Sequence, residues 1–346
     1  MKILAIDLGK FNSVACIYDE KITKNRFQKF NTAPAVLHDL LVIEEPDLLL
    51  IEVCSIAGWV CDMAETLNIE IKVANTNEDK FKWKNTKRKT DKDDALRLIE
   101  MHIVDRFSTV HIPKTKTRQR RAMIKGRKAI SGRITSIKNN IRAILDRQGL
   151  VMGKGKSGWT KQSIVYLRSL AVEPQKSTED NLWRSMLCIE LNLLVVLQKA
   201  LAQAEEVLDK ISDNDKATQI IKTTPGIGYR TAEIVASTID DPRRFKNGKQ
   251  AGCYVGFTPR LYESGAIRRE GGISHKGNAM LRGILVEACW LGMRYNPWIR
   301  ETYEKICRGD KNRRKIAIVA VARKLFVRLW AMMRDNQPWR AELLYG

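Results

Sequence analysis

The chain has 346 residues, of which 44% are hydrophobic, so it is long enough to form two or three domains with buried cores. It carries 61 Lys and Arg residues against 39 Asp and Glu residues, a formal net charge of +22. Because self-repulsion of this size opposes compaction, the composition indicates a polyanionic partner, and nucleic acid is favoured over an anionic membrane surface. Neither a signal peptide nor a membrane span is predicted. The seven cysteines include no CxxC pair, which is typical of a reducing cytoplasm, and four histidines leave zinc few ligands.

Residues 1–108 are predicted to form an α/β domain. The predicted strands cover residues 2–6, 11–18, 24–30, 47–53 and 69–73. The predicted helices cover residues 34–42, 58–67 and 90–103, and the basic run 80–92 is predicted to be largely a surface loop. Three antiparallel strands followed by alternating helices and strands are the order of an RNase H-like sheet.

Four carboxylates stand at the ends of these elements. Asp7 ends the first strand, Glu52 ends the central strand, and Asp91 and Asp94 open the last helix on one of its faces. Unpaired, such a cluster would repel itself, whereas a pair of hard cations such as Mg²⁺ or Mn²⁺ prefers oxygen ligands and stabilises phosphoryl displacement. Each acid alone also fits a turn or a helix cap. Asp93 is predicted to point away from the other acids.

Residues 109–211 are predicted to form a basic helical stalk with a linker. Residues 110–150 hold twelve Lys and Arg residues and one acid, and isoleucines at 130, 134, 137, 141 and 144 form an a/d seam. A second long helix is predicted from about residue 181 to 211, with leucines along one stripe. Both a closed helical hairpin within one chain and an oligomerisation arm fit this periodicity.

Residues 212–346 are predicted to form a mostly α-helical domain with glycine-rich loops. Residues 224–232 resemble the turn of a helix-hairpin-helix, in which Gly226 and Gly228 would let the backbone approach a phosphate. A plain turn between two helices would use the same residues.

Residues 256–278 are the densest segment of this domain, with five glycines, two serines and four basic residues. A serine beside glycine among arginines suits a hydroxyl that attacks a phosphate, because glycine gives room and arginine stabilises the developing charge. Ser264 and Ser274 both fit this description, and so does an ordinary loop that binds the DNA backbone. The candidate phosphate contacts are Arg260, Arg268, Arg269, Ser274 and Lys276.

The ordered combination of these motifs resembles the DEDD transposases of one insertion-sequence family, the bridge-RNA-guided recombinases. The resemblance covers nearly the whole length. It rests on residues 6–10, Ile51-Glu52, Lys89-Thr90-Asp91 with Asp94-Ala95, residues 225–228, 256–265, 272–274 and 277–282. It implies a RuvC-like N-terminal domain with Asp7, Glu52, Asp91 and Asp94 as the metal-binding tetrad for Mg²⁺ or Mn²⁺, with two ions expected.

The same resemblance implies that Ser264 is the nucleophile of a covalent phosphoserine link to DNA, in an active site whose acids and serine come from different domains. It also implies a non-coding guide RNA that pairs with donor and target double-stranded DNA, and a homo-oligomer, dimer or tetramer, assembled through the stalk. The basic segment 114–147 would then contact nucleic acid, with Arg118, Arg121, Arg127 and Lys128 as candidates.

The sequence therefore favours a cytoplasmic, nucleoid-associated recombinase that excises and inserts its own element. A junction-resolving nuclease that uses water is the alternative enzyme, because it needs the four acids but not Ser264. A non-catalytic nucleic-acid-binding scaffold is the third hypothesis, in which the acidic cluster is only structural.

Overall fold

The computed structural model describes residues 1–75, 90–106, 108–264, 267–274 and 277–340. The chain folds as two compact units, Met1–Gln119 and Arg120–Gly346. The segment 109–211, predicted as a separate stalk, is thus divided between the two units, and nearly all of it belongs to the second.

A five-stranded mixed sheet forms the centre of the first unit, with strand order β3-β2-β1-β4-β5. Its strands are β1 (Lys2–Asp7), β2 (Asn12–Asp19), β3 (Ile22–Asn31), β4 (Leu48–Glu52) and β5 (Glu70–Ala74). β1, β2 and β3 are antiparallel neighbours, whereas β4 lies parallel to β1 and β5 lies parallel to β4. The five predicted strands are confirmed, with ends shifted by one or two residues.

Three helices cover this sheet: α1 (Pro34–Glu44), α2 (Ala57–Thr66) and α3 (Asp91–Ile103). Side chains of a strand alternate between its two faces, and both faces of β1 are apolar. Leu4 and Ile6 pack with α1 and α2 in one buried cluster. Ile3 and Ala5 pack with α3 in the other. The predicted loop at 80–92 lies largely outside the described residues, and its last two residues begin α3.

Two long helices, α4 (Thr115–Asp146) and α6 (Leu182–Asp213), carry the predicted apolar stripes, and α5 (Lys161–Leu170) lies between them in sequence. Ile134, Ile137, Ile141 and Ile144 of α4 share one buried cluster with leucines 187, 191 and 194 of α6 and with Leu167 of α5. The side-chain amide of Asn140 also donates to Glu190 Oε1 over 3.3 Å. The two stripes are therefore partners within one chain, as the closed-hairpin alternative predicted.

The rest of the second unit is mostly helical, as predicted. Its helices are α7 (Lys216–Lys222), α8 (Tyr229–Ile239), α9 (Gly248–Val255), α10 (Ala279–Tyr295), α11 (Pro297–Cys307) and α12 (Arg314–Asp335). They enclose a core centred on α8, α10 and α12, with Val235, Leu285 and Phe326 fully buried.

A β-hairpin interrupts the helices where a glycine-rich loop was predicted. Strands β6 (Pro259–Ser264) and β7 (Ile267–Ile273) pair in antiparallel register. The loop prediction for these residues was therefore wrong, because it weighed glycine content and overlooked the β-forming residues on each side of Ser264 and Gly265.

Among the described residues, the helical segment Glu179–Asp213 is long and apolar enough to cross a membrane, and 33% of its most apolar stretch is buried inside the protein. Core helices of soluble proteins can have the same length and composition. Here leucines of the segment pack against α4, so intramolecular packing already accounts for one face of it.

Candidate functional site

Asp7 and Glu52 stand side by side at one edge of the sheet. β1 and β4 are parallel, and their register pairs Ile6 with Ile51, so the next residue of each strand is an acid. Because the carboxyl ends of parallel neighbours meet at one edge, Asp7 and Glu52 lie on adjacent strand ends, and both side chains are partly exposed. The structure thus confirms that these two acids are neighbours on the backbone.

α3 begins at Asp91 and has Asp94 in its first turn. Ala95, Leu98 and Ile99 pack on the buried face of β1 and β4. Burial and the nearby Lys72 lower the pKa of His102 in the last turn of the helix.

The acids of this turn have different roles. The backbone N–H of Thr90 donates to Asp93 Oδ2 over 3.1 Å, and the Thr90 hydroxyl donates to the same oxygen over 2.6 Å. In return the N–H of Asp93 donates to Thr90 Oγ1 over 3.3 Å, which completes a capping box. Asp93 is thus occupied in capping the helix. Asp91 is exposed and Asp94 half-buried.

The donor chemistry of Asp7, Glu52, Asp91 and Asp94 suits a hard divalent cation, because all four offer carboxylate oxygens. Asp7 and Glu52 share one edge of the sheet. Within the part of the chain that the structure describes, however, no three His, Cys, Asp or Glu side chains are grouped closely enough to hold a metal ion. The fold therefore places Asp7 and Glu52 on adjacent strand ends, and the described side chains of the four acids are not assembled as a ligand set.

The two candidate serines lie at opposite ends of the β-hairpin. Ser264 is the last residue of β6 and pairs with Ile267, next to the turn. Ser274 follows β7, and its backbone N–H donates to the Thr258 carbonyl over 2.8 Å at the base of the hairpin. At about 3.3 Å per residue, the strand separates the two positions by roughly 17 Å. The backbone of Ser274 therefore extends the hydrogen-bond ladder at the base of the hairpin, whereas Ser264 lies at the tip of the hairpin.

The basic residues of the hairpin differ in what the structure describes. Arg260 and Arg269 are exposed, on β6 and β7 respectively. The side chain of Arg268 and all of Lys276 lie outside the described residues. Arg260 and Arg269 are thus open to solvent, as a phosphate-binding role requires, and Arg269 pairs with Tyr262, two positions before Ser264.

Residues 223–228 form the turn between α7 and α8. Gly226 has φ +87°, and a Cβ atom there would stand 3.0 Å from Cα of Gly292 on α10, so both the backbone conformation and the packing require glycine. Gly228 is exposed at the N-cap of α8, and a Cβ atom there would meet nothing within 4 Å. Gly226 thus serves packing, while Gly228 leaves the N–H groups of a helix N-terminus accessible to an anion.

Three of the arginines predicted to contact nucleic acid have partners inside the protein. Arg118 pairs with Asp62 and donates to the Pro113 carbonyl over 2.6 Å. Arg121 donates to the carbonyls of Ser237 and Thr238 over 2.7 and 2.9 Å.

The third, Arg127, is buried against Glu233. The guanidinium groups of these three arginines hold helices in place through their contacts inside the protein. Lys128 is exposed, and a nucleic-acid contact there stays a prediction.

The chain thus combines a net charge of +22, acids at adjacent strand ends of a mixed sheet and a serine at the tip of a glycine-rich hairpin. Residues 218–304, from α7 to α11, match the family described as "Transposase IS116/IS110/IS902 family". The matched segment contains both glycines of the α7–α8 turn and the complete hairpin. Over this segment the chain is similar to the transposases of that family.

Several curated proteins are similar to the chain. The transposase for insertion sequence element IS1111A of Coxiella burnetii is 26% identical over 260 residues, which cover 73% of this chain and 68% of that protein. The transposase for insertion sequence element IS1328 of Yersinia enterocolitica is 22% identical over 328 residues, 92% of each chain. The pilin gene-inverting protein of Moraxella lacunata is 29% identical over 122 residues, 35% of this chain and 38% of that protein.

Proposed function

We propose that this protein is an RNA-guided DNA recombinase that excises and inserts its own insertion sequence through a covalent phosphoserine–DNA intermediate. The observation that carries the proposal is the position of Ser264, at the tip of a hairpin inside the transposase-family domain. Transposition and DNA inversion, which the names of the relatives describe, both require DNA strands to be cleaved and rejoined. The proposed enzyme acts in the cytoplasm, on the DNA of the nucleoid.

The sheet of the first unit supports an RNase H-like, RuvC-like assignment. Its order β3-β2-β1-β4-β5, with three antiparallel strands followed by two strands parallel to β1, is the arrangement of that fold. In such a sheet the acids would stand at the ends of β1 and β4 and on the facing helix, where Asp7, Glu52, Asp91 and Asp94 occur.

These four carboxylates would hold Mg²⁺ or Mn²⁺, in a pair of ions. When bound, the cations would supply positive charge that stabilises the phosphorane-like transition state of a DNA phosphate. The chain's own contribution is to hold the acids at one edge through β1, β4 and the capping box of α3. Asp93 stays in its cap and takes no part in binding the metal.

Ser264 would act by exchange of one phosphodiester for another. Its hydroxyl gives up a proton, its oxygen bonds to phosphorus, and one bridging P–O bond of the DNA breaks, with the freed sugar oxygen taking up a proton. Arg260 and Arg269 would stabilise the charge that develops on the phosphate. Because a phosphoester bond is retained, the reverse step with a different sugar hydroxyl rejoins the strands without a further energy source.

Recombination of this kind needs two DNA partners and a means of choosing them. We propose that donor and target double-stranded DNA are both selected by pairing with a non-coding guide RNA, while the protein holds backbones. A homo-oligomer, dimer or tetramer, would supply enough serines to exchange all the strands.

The deciding experiment tests whether the protein forms a covalent adduct with DNA. The full chain, with the RNA encoded by its element, is incubated with donor and target DNA and Mg²⁺, denatured and digested, and nucleotide-modified peptides are mapped by mass spectrometry. We expect a DNA remnant on Ser264, lost in Ser264→Ala and retained in the matched control Ser274→Ala.

The other outcomes separate the alternatives. A DNA remnant on Ser274 would support the phosphoserine mechanism and identify Ser274, rather than Ser264, as the nucleophile. Cleaved DNA without an adduct would favour the water-using nuclease. Full transposition in cells by an Asp91→Asn variant would support the view that the acidic cluster is only structural.

A further inference from the structure

A groove lies along α12 in the second unit. It has a volume of about 1960 Å³ and is lined by residues from the start of α9, the base of the β-hairpin, α11 and α12. Its lining includes Gly271, Gly272 and Ile273 of β7 and Ile316, Val319 and Ala320 of α12.

The charge of the lining is of one sign. Among the described residues that line the groove there is no Asp or Glu, whereas six side chains are cationic: Lys249, Lys305, Lys315, Arg323, Lys324 and Arg328. Four of the six come from α12. Like charges at this density repel one another, and bound phosphates relieve that repulsion by neutralising the cations, while the counterions condensed on the nucleic acid are released.

Helix α12 shows why these cations line the groove. Its apolar residues, among them Ile318, Leu325 and Phe326, are buried on the face that packs in the core. Its other face turns Lys315, Val319 and Arg323 to the groove at spacings of four residues, about one helical turn. Lys315 and Arg323 are thus two helical turns apart on the side of α12 that lines the groove.

Arg328 is another cation of the groove lining. Its guanidinium carbon lies 5.0 Å from the ring centre of Trp298 and 3.7 Å from that of Trp339, and the group also donates to the Arg340 carbonyl. Its Nη1 has no hydrogen-bond partner among the described residues, although the atom is buried. The two tryptophan rings and the Arg340 carbonyl therefore hold the Arg328 guanidinium in a fixed orientation beside the groove, where its positive charge would attract a phosphate.

We propose that this groove binds the sugar–phosphate backbone of the DNA duplex next to the strand that Ser264 attacks. The proposal rests on the proposed function for the role of Ser264. Pro259 and Gly271 to Ile273 line the groove at the base of the hairpin, and Ser264 is at its tip. The hairpin length of roughly 17 Å corresponds to about five nucleotides along a B-form strand.

The mixture of cations and apolar walls favours a backbone over a small anion. Phosphates recur along a strand, and the cations are likewise spread along three helices. Ile316, Val319 and Trp298 would contact the deoxyribose faces between phosphates. Such contacts position DNA without reading its sequence, which suits an enzyme whose targets are chosen by base pairing.

The test compares two triple variants that remove the same charge. Lys249→Gln, Lys315→Gln and Lys324→Gln together change three exposed lysines of the groove. Lys161→Gln, Lys199→Gln and Lys216→Gln together change three exposed lysines elsewhere in the same unit. Affinity for duplex DNA of arbitrary sequence and for single-stranded RNA of equal length is titrated over a range of salt concentrations. Thermal unfolding verifies that both variants fold.

We expect the groove variant to lose about 10²-fold in duplex affinity near 0.1 M salt, and the salt slope to fall by about 2.7. The control variant should lose less than about threefold. Equal losses in both variants would overturn the proposal. A loss confined to RNA would overturn it too and make the groove an RNA site.

This binding measurement does not depend on cleavage. Ser264→Ala should bind duplex DNA as tightly as the unaltered protein. If no adduct forms in any experiment while the groove variant still loses duplex affinity, then the phosphoserine mechanism is wrong and the groove assignment stands.

Discussion

Arg127 of α4 and Glu233 of α8, 106 positions apart in the chain, form an ion pair inside the second unit. The Glu233 side chain is fully buried and that of Arg127 is 9% exposed. Burial raises the pKa of Glu233, and the positive charge of Arg127 opposes that rise. The pair therefore ties the basic helix to the transposase-family domain.

Removal of one partner should leave an unpaired buried charge. We expect Arg127→Met to lower the free energy of unfolding by about 3–5 kcal/mol, measured by denaturant titration. The double variant Arg127→Met, Glu233→Gln should regain a large part of that loss, because no charge is left buried. If Arg127→Met were as stable as the unaltered protein, the pair would not hold α4 in place.

Asp93 and Asp94 are adjacent but should respond differently to substitution. Asp93→Ala removes one half of the capping box, so we expect a loss of about 1 kcal/mol in stability with DNA cleavage retained below the melting temperature. Asp94→Asn keeps the helix and should abolish cleavage. Thermal unfolding and adduct formation measured on both variants check this, and the opposite pattern would exchange the roles of the two acids.

Gly226 and Gly228 provide a matched pair in the α7–α8 turn. Gly226→Ala forces a side chain into the left-handed region and against the backbone of Gly292, so it should cost about 1–3 kcal/mol. Gly228→Ser adds a side chain in open space and supplies an N-cap oxygen, so stability should stay within about 0.5 kcal/mol. Equal losses in the two variants would show that the turn is not held against α10 as described.

Asp215 should make stability depend on pH in the acid range. Burial raises the pKa of Asp215, but hydrogen bonds from Thr218 and Arg120 outweigh burial, and the net pKa lies below its usual range. Because its pKa is lower in the folded state, the Asp215 carboxylate stabilises the protein at pH values above its unfolded pKa of about 3.9. That stability is lost as the pH falls through the folded pKa.

Asp215→Asn keeps an N-cap for α7 while removing the charge. We expect this variant to be less stable than the unaltered protein at about pH 6, with the difference shrinking below about pH 4. Chemical denaturation at several pH values measures the free energy of unfolding of the variant and of the unaltered protein. A difference that stayed constant across this range would assign the effect to packing rather than to the carboxylate charge.

Much of the first unit could be predicted from local patterns. Alternating apolar residues marked the strands, and an acid directly after an apolar run marked Asp7 and Glu52 at strand ends, because a parallel sheet collects such ends at one edge. The spacing of apolar residues in α3 likewise marked the face that packs on β1 and β4.

The sequence by itself determined where the strands lie along the chain, the two apolar stripes and the places of the acids at the ends of elements, since each depends on residues a few positions apart. Only the tertiary structure decided that Arg118, Arg121 and Arg127 have internal partners and that the two stripes pack on each other. It also decided that four cations of α12 line one groove. These features depend on contacts between residues distant in the chain, and a basic residue carries the same charge in the sequence whether folding buries it against a carboxylate or leaves it in water.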